Sequence, residues 1–138
     1  MRYKILAALL ALWPFGAFDG TFLECELVAN SAAGWISPVM FLETESDYSE
    51  INVIDVYTND HSGGWIAARV TSHSPERVRF EWTVKDIPLS NRRLKVSANY
   101  QATYTPKTGK LRIAVYLLGV DMDPPRGTGK CKPSKKRK

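Results

Sequence analysis

The sequence predicts an all-β fold: a small antiparallel β-sandwich or barrel of about seven strands, with its two ends joined by a disulfide. Three observations carry that expectation. Apolar residues recur with period two over most of the chain, and turn-forming residues punctuate it at short intervals. The only two cysteines, Cys25 and Cys131, stand near opposite ends of the expected body.

The clearest strand is "RVRFEWTV", where Val78, Phe80, Trp82 and Val84 alternate with Arg79, Glu81 and Thr83. Such alternation is the mark of a sheet with one wet face. "LKVSANYQATY" sets Leu94, Val96, Ala98, Tyr100, Ala102 and Tyr104 on one side, and "KLRIAVYLL" does the same with Leu111, Ile113, Val115 and Leu117. Between them "TPKTGK" has a proline that fixes φ and a glycine for a left-handed position, so a tight hairpin is expected. Pairing Thr105 with Lys110 puts Tyr104 opposite Leu111, Ala102 opposite Ile113 and Tyr100 opposite Val115, which aligns both apolar faces.

The earlier strands are "TFLECELVA", with Leu23, Cys25 and Leu27 on one face, then "PVMFLETE", "INVIDVY" and "WIAARVTS". "NDHSGG" reads as a loop, and a short helix within residues 29–36 is compatible with the pattern. A chain of 138 residues suggests one domain.

Residues 1–20 read as a secretory signal: Arg2 and Lys4 precede an apolar run, Ile5 to Trp13, too short to span a bilayer as a helix, and Pro14 ends it. Residues 21–131 form the β domain and 132–138 a basic disordered tail. An exported chain with two cysteines favours a disulfide between Cys25 and Cys131. Gly127 and Gly129 would let the segment before Cys131 approach the first strand closely. The net charge of +5 is uneven: residues 21–129 hold 11 basic and 13 acidic side chains.

A cysteine in the first mature strand, the P-x-x-G hairpin at Pro106 and Gly109, and the terminal G-x-G-x-C of Gly127, Gly129 and Cys131 resemble a loose group of uncharacterised small exported proteins of Gram-negative bacteria. The resemblance implies a periplasmic, disulfide-bonded β domain and brings no activity with it.

No cofactor is expected. His61 and His73 stand beside serines without a nucleophile elbow, and with the two cysteines they lack metal-ligand spacing, so neither a catalytic set nor a metal site is assigned. The expected role is a non-catalytic binding module for a protein or a cell-envelope component, an envelope protein or an anionic polymer or membrane surface being the candidate partners. Trp35, Tyr57, Trp65 and Tyr116 are the candidate binding aromatics. An alternative is an adaptor that docks on an anionic membrane or polymer through Lys135, Lys136, Arg137 and Lys138. A second is a hydrolase using Glu43, Glu45, Asp47 and Glu50. Nucleic acid is disfavoured as a partner, because export removes it from reach and no groove-reading helix is present.

Overall fold

The computed structural model describes residues 20–30, 34–89 and 94–135. The expected signal, Gly20 apart, and the tail residues Lys136, Arg137 and Lys138 lie outside the described residues. Eight antiparallel strands follow one another: β1 (Thr21–Ala29), β2 (Val39–Thr44), β3 (Ile51–Ile54), β4 (Ile66–His73), β5 (Val78–Pro88), β6 (Lys95–Thr105), β7 (Lys110–Leu117) and β8 (Arg126–Pro133). One helix, α1 (Val56–His61), lies between β3 and β4. Each strand pairs with its neighbours in sequence, and β8 pairs back onto β1, closing a barrel.

Alternation decides which side chains fill the barrel. Leu23, Cys25 and Leu27 from β1, Met40 and Leu42 from β2, Val78, Phe80, Trp82 and Val84 from β5, and Ala98, Tyr100, Ala102 and Tyr104 from β6 are all buried. An eight-stranded barrel has an interior just wide enough to be filled by its own side chains. Burying each large apolar side chain contributes about 1.5–3 kcal/mol. Phe80, Trp82 and Tyr100 stack in sequence through the core, with centroids 5.7 and 5.4 Å apart. Trp82 Nε1 is buried with no hydrogen-bond partner among the described residues. Charged side chains at outward positions of β4, β5, β7 and β8 stand where a lipid-spanning barrel carries apolar ones.

The strands keep phase through local irregularities. In β5 the inward pattern would fail after Val84, but Lys85 and Asp86 are both exposed and the register shifts between Val84 and Ile87. Asp86 takes φ 59°, the bulge absorbs one residue, and Ile87 turns back into the core. The hairpin from β6 to β7 has the expected register, with Thr105 opposite Lys110 and Tyr104 opposite Leu111. Gly109 has φ 77° there.

Two expectations are corrected, while the expected barrel of about seven strands is met by eight, because the segment before Cys131 is a regular strand, β8. Its inward positions are Gly127, Gly129 and Cys131, so no apolar alternation advertises it. The strand also runs past Cys131 to Pro133, and Ser134 N–H donates to Phe22 O at 2.8 Å, so Lys132 and Pro133 belong to the body and not to a disordered tail.

The other correction concerns helix. "INVIDVY" is a strand only to Ile54; Asp55 then caps α1, which takes in Asn59, Asp60 and His61 from the expected loop. Asp55 accepts from Thr58 N–H while Thr58 Oγ1 accepts from Asp55 N–H, both at 2.9 Å, a reciprocal cap strong enough to start a short helix. The short helix expected within residues 29–36 falls in part on residues 31–33, which lie outside the described residues; Ala29 ends β1, and Asn30 and residues 34–36 are irregular.

The disulfide joins Cys25 and Cys131 as expected. It lies between residues directly opposite each other on β1 and β8. Gly129 lets those strands meet: a Cβ there would lie 1.8 Å from Glu26 O.

Candidate functional site

One end of the barrel carries residues 34–38, the connection 55–65 and the loop after β7. The opposite end carries the turn at 45–50 and the two tight hairpin turns at 74–77 and 106–109. At the first end Trp35 and Tyr57 stack on each other, Tyr57 leans on Tyr100, and Tyr100 O–H donates to Trp35 O at 2.9 Å. These two candidate binding aromatics are therefore half-buried and tied into the plug of the barrel. Burial of Tyr100 pushes its phenol far above the usual range, with the Asp55 and Tyr57 charges acting in the same direction.

Trp65 stands on the outer wall, 39% exposed, with its ring 6.0 Å from Phe22 and Phe22 stacked 5.6 Å from Phe41. Tyr116 is outward on β7, 38% exposed, on a different part of the wall. The four aromatics thus divide among three places and make no common surface. Lys135 is exposed just beyond β8.

The acidic cluster is divided as well. Glu43 faces outward on β2, where it lies opposite Phe22 and Asn52, whereas Asp47 sits in the following turn. There Asp47 accepts from Ser49 N–H at 2.9 Å, and the Ser49 hydrogen bonds hold its carboxyl below the usual value. His73 Nδ1 lies 2.9 Å from Asp47 O, which ties the end of β4 to this turn. His61 ends α1.

The arrangement with most chemical content lies on the outer wall of β5, β6, β7 and β8. A concavity of about 670 Å³ opens there, lined by Arg79, Lys110, Arg112 and Arg126, with Glu81 as its only carboxylate among the described residues. Strand register builds it. Arg79 lies opposite Thr103, Thr103 opposite Arg112, and Arg112 opposite Thr128, one row across four strands. The adjoining row runs Glu81, Gln101, Ala114 and Arg126. Ala114 points outward yet is buried, so its small side chain forms the floor.

Glu81 does not neutralise these cations. Its carboxylate pairs with Arg69 on β4, and its other oxygen accepts from Asn99 Nδ2 at 3.2 Å. Gln101 Nε2 in turn donates to Asn99 Oδ1 at 2.9 Å, which stiffens that edge. Among the described residues no carboxylate forms an ion pair with Arg79, Lys110, Arg112 or Arg126. Lys110 also lies directly opposite Lys130. Like charges facing each other on one sheet face are destabilising, so this wall carries uncompensated positive charge. On its other side Lys130 lies opposite Glu26, and Lys132 lies opposite Glu24, so charges of opposite sign face each other across the β1–β8 pair.

Sequence reasoning missed this site because the net charge of residues 21–129 is slightly negative and hides the segregation. Part of the signal was present. The hairpin register already placed Arg112 beside Thr103, and the alternation of β5 already turned Arg79 outward. The pairing of β5 with β6, which brings Arg79 to Thr103, was the missing link.

The fold and wall define an eight-stranded up-and-down antiparallel barrel with a filled core and one cationic face. Comparison with protein-family models, curated proteins and solved structures finds no match.

Proposed function

We propose that this protein is an exported, non-catalytic binding module that holds an anionic component of the cell envelope against the outer wall of β5–β8. The observation that carries the reading is the concave group Arg79, Lys110, Arg112 and Arg126, none of them ion-paired to a carboxylate among the described residues. Grouping cations in this way raises the local positive potential, which attracts an anionic partner and steers its approach. Export is supported by the signal-like residues 1–20 and by the disulfide, which persists in oxidising compartments. No helix of the described residues is long and apolar enough to cross a membrane.

This reading moves the charged contact from the tail to the barrel, and one experiment separates the two. Binding of fluorescently labelled dextran sulfate is measured by anisotropy across a salt series, for the mature protein, an Arg79→Ala/Arg112→Ala variant and a truncation after Ser134. The cut falls after Ser134 because β8 continues beyond Cys131. The wall variant is expected to bind at least about tenfold more weakly, a loss of about 1.4 kcal/mol, and to lose salt dependence. The truncation is expected to bind like the full chain. The reverse pattern would place the contact in the tail and end the proposal.

A further inference from the structure

Resting on the reading of the β5–β8 wall as an anion-binding face, we infer that it selects tetrahedral oxyanion esters, phosphate or sulfate, over carboxylates, and reads them at the row Arg79–Thr103–Arg112. The inference begins with register. Thr103 lies between Arg79 and Arg112 as the shared cross-strand neighbour of both. Neighbouring strands are about 4.8 Å apart, so the two arginines leave the sheet about 10 Å from each other with a hydroxyl midway. All three side chains belong to the wall of the same concavity.

A guanidinium is a planar fork of donors, and two forks approaching from opposite sides can supply paired donors to different oxygens of one anion. Thr103 Oγ1 supplies a further donor from below. A phosphate or sulfate ester has three unesterified oxygens directed to separate corners and can use all three sources. A carboxylate has two oxygens in one plane and satisfies a single fork, so the second arginine adds only charge attraction.

The surrounding cations extend the recognition along a chain. Lys110 stands two residues from Arg112 on the same face of β7, about 7 Å away, and Lys130 lies opposite it on β8. Arg126 lies opposite Ala114, one row further towards the helix-bearing end. Arg79, Arg112, Lys110 and Arg126 therefore present positive charge at intervals of about 7–10 Å, suited to a linear polymer that carries one ester per repeating unit.

The test compares dextran sulfate, dextran carrying phosphate monoesters and polyglutamate at matched charge concentration and ionic strength, by calorimetric titration of the mature disulfide-bonded protein. Dextran sulfate and dextran phosphate are each expected to bind at least about tenfold more tightly than polyglutamate, and the stronger of the two identifies the source of the ester. Arg79→Lys/Arg112→Lys keeps the charge and removes the forks, so it is expected to bring the esters down to the level of polyglutamate. Thr103→Val is expected to weaken the esters alone. Circular dichroism and the thermal midpoint establish that each variant is folded. Equal binding of all three polymers by the unaltered protein, or undiminished selectivity in the lysine variant, overturns the inference while leaving a general anionic partner intact. Failure to bind any of the three removes both readings.

Discussion

Cys131 lies directly opposite Cys25, with Cα atoms 3.9 Å apart, so the disulfide spans one rung of the strand pair that closes the barrel. The bond links residues 106 positions apart and encloses nearly the whole folded body. In the chain-entropy account a loop of that length constrains the unfolded state by about 4–5 kcal/mol. Cys25→Ala/Cys131→Ala is therefore expected to lower stability by about 4 kcal/mol, a large share of a typical domain's 5–15 kcal/mol. Urea denaturation of the oxidised protein and the double variant checks this. A difference below about 1 kcal/mol would mean that the remaining hydrogen bonds of β1 with β8 already restrict the unfolded chain.

The same closure depends on Gly129. A Cβ at that position would lie 1.8 Å from Glu26 O and 2.7 Å from Glu26 C, and backbone atoms cannot move aside as a side chain can. At Gly127 the approach is gentler, 3.2 Å to Val28 O and to the Ile36 side chain. Gly129→Ala is expected to destabilise by about 3 kcal/mol or more and Gly127→Ala by about 1 kcal/mol. Thermal unfolding of both variants tests the ranking. Equal effects would argue against the close approach of β8 to β1.

Much of this architecture is legible in the sequence where side chains report on their surroundings. Val78 to Val84 and Tyr100 to Val115 announce their inward faces, because an apolar residue at every second position has one inexpensive place to go. The cysteine pairing is legible because a chain with two cysteines leaves one intramolecular choice. β8 is not, since Gly127 and Gly129 hold inward positions where backbone, not side chain, fills the space. The site is less legible than the fold: Arg79 and Arg112 each look like ordinary polar-face residues until long-range pairing sets them across Thr103. Tyr57 follows "INVID" and continues an apparent strand, but the Asp55–Thr58 cap turns the chain into a helix and carries Tyr57 onto Tyr100.

Tyr100 links the core to the plug through its hydroxyl, which donates to Trp35 O at 2.9 Å. Tyr100→Phe keeps the ring stack on Trp82 and leaves the Trp35 carbonyl without this donor. A net loss of about 1 kcal/mol is expected, as for a typical hydrogen bond removed from one side. The near-ultraviolet dichroism of the aromatic stack should change with it, because Trp35 is held against Tyr57 by the same segment. Unchanged stability would mean that solvent replaces the bond at no cost.

Asp55 gives the barrel a pH dependence whose direction follows from burial. The residue is 7% exposed, and desolvation raises its carboxyl above the ordinary value of 3.8 despite opposing hydrogen bonds from Thr58 and Tyr57 backbone; the nearby Asp60 charge raises it further. The folded chain therefore holds this proton at pH values where the unfolded chain has released it. Between 3.8 and the raised value, this group's contribution makes stability fall as pH rises. Asp47 acts oppositely and in a separate window, below 3.8, because its carboxyl is held down by Ser49. Asn keeps the capping acceptor for Thr58 N–H and cannot ionise. Asp55→Asn is thus expected to equal or exceed the unaltered protein in stability at neutral pH, with the advantage shrinking as the pH is lowered towards 3.8. Denaturation midpoints of the two proteins across that range decide it. A stability difference independent of pH would mean that the Asp55 carboxyl ionises in the folded barrel as it does in the unfolded chain.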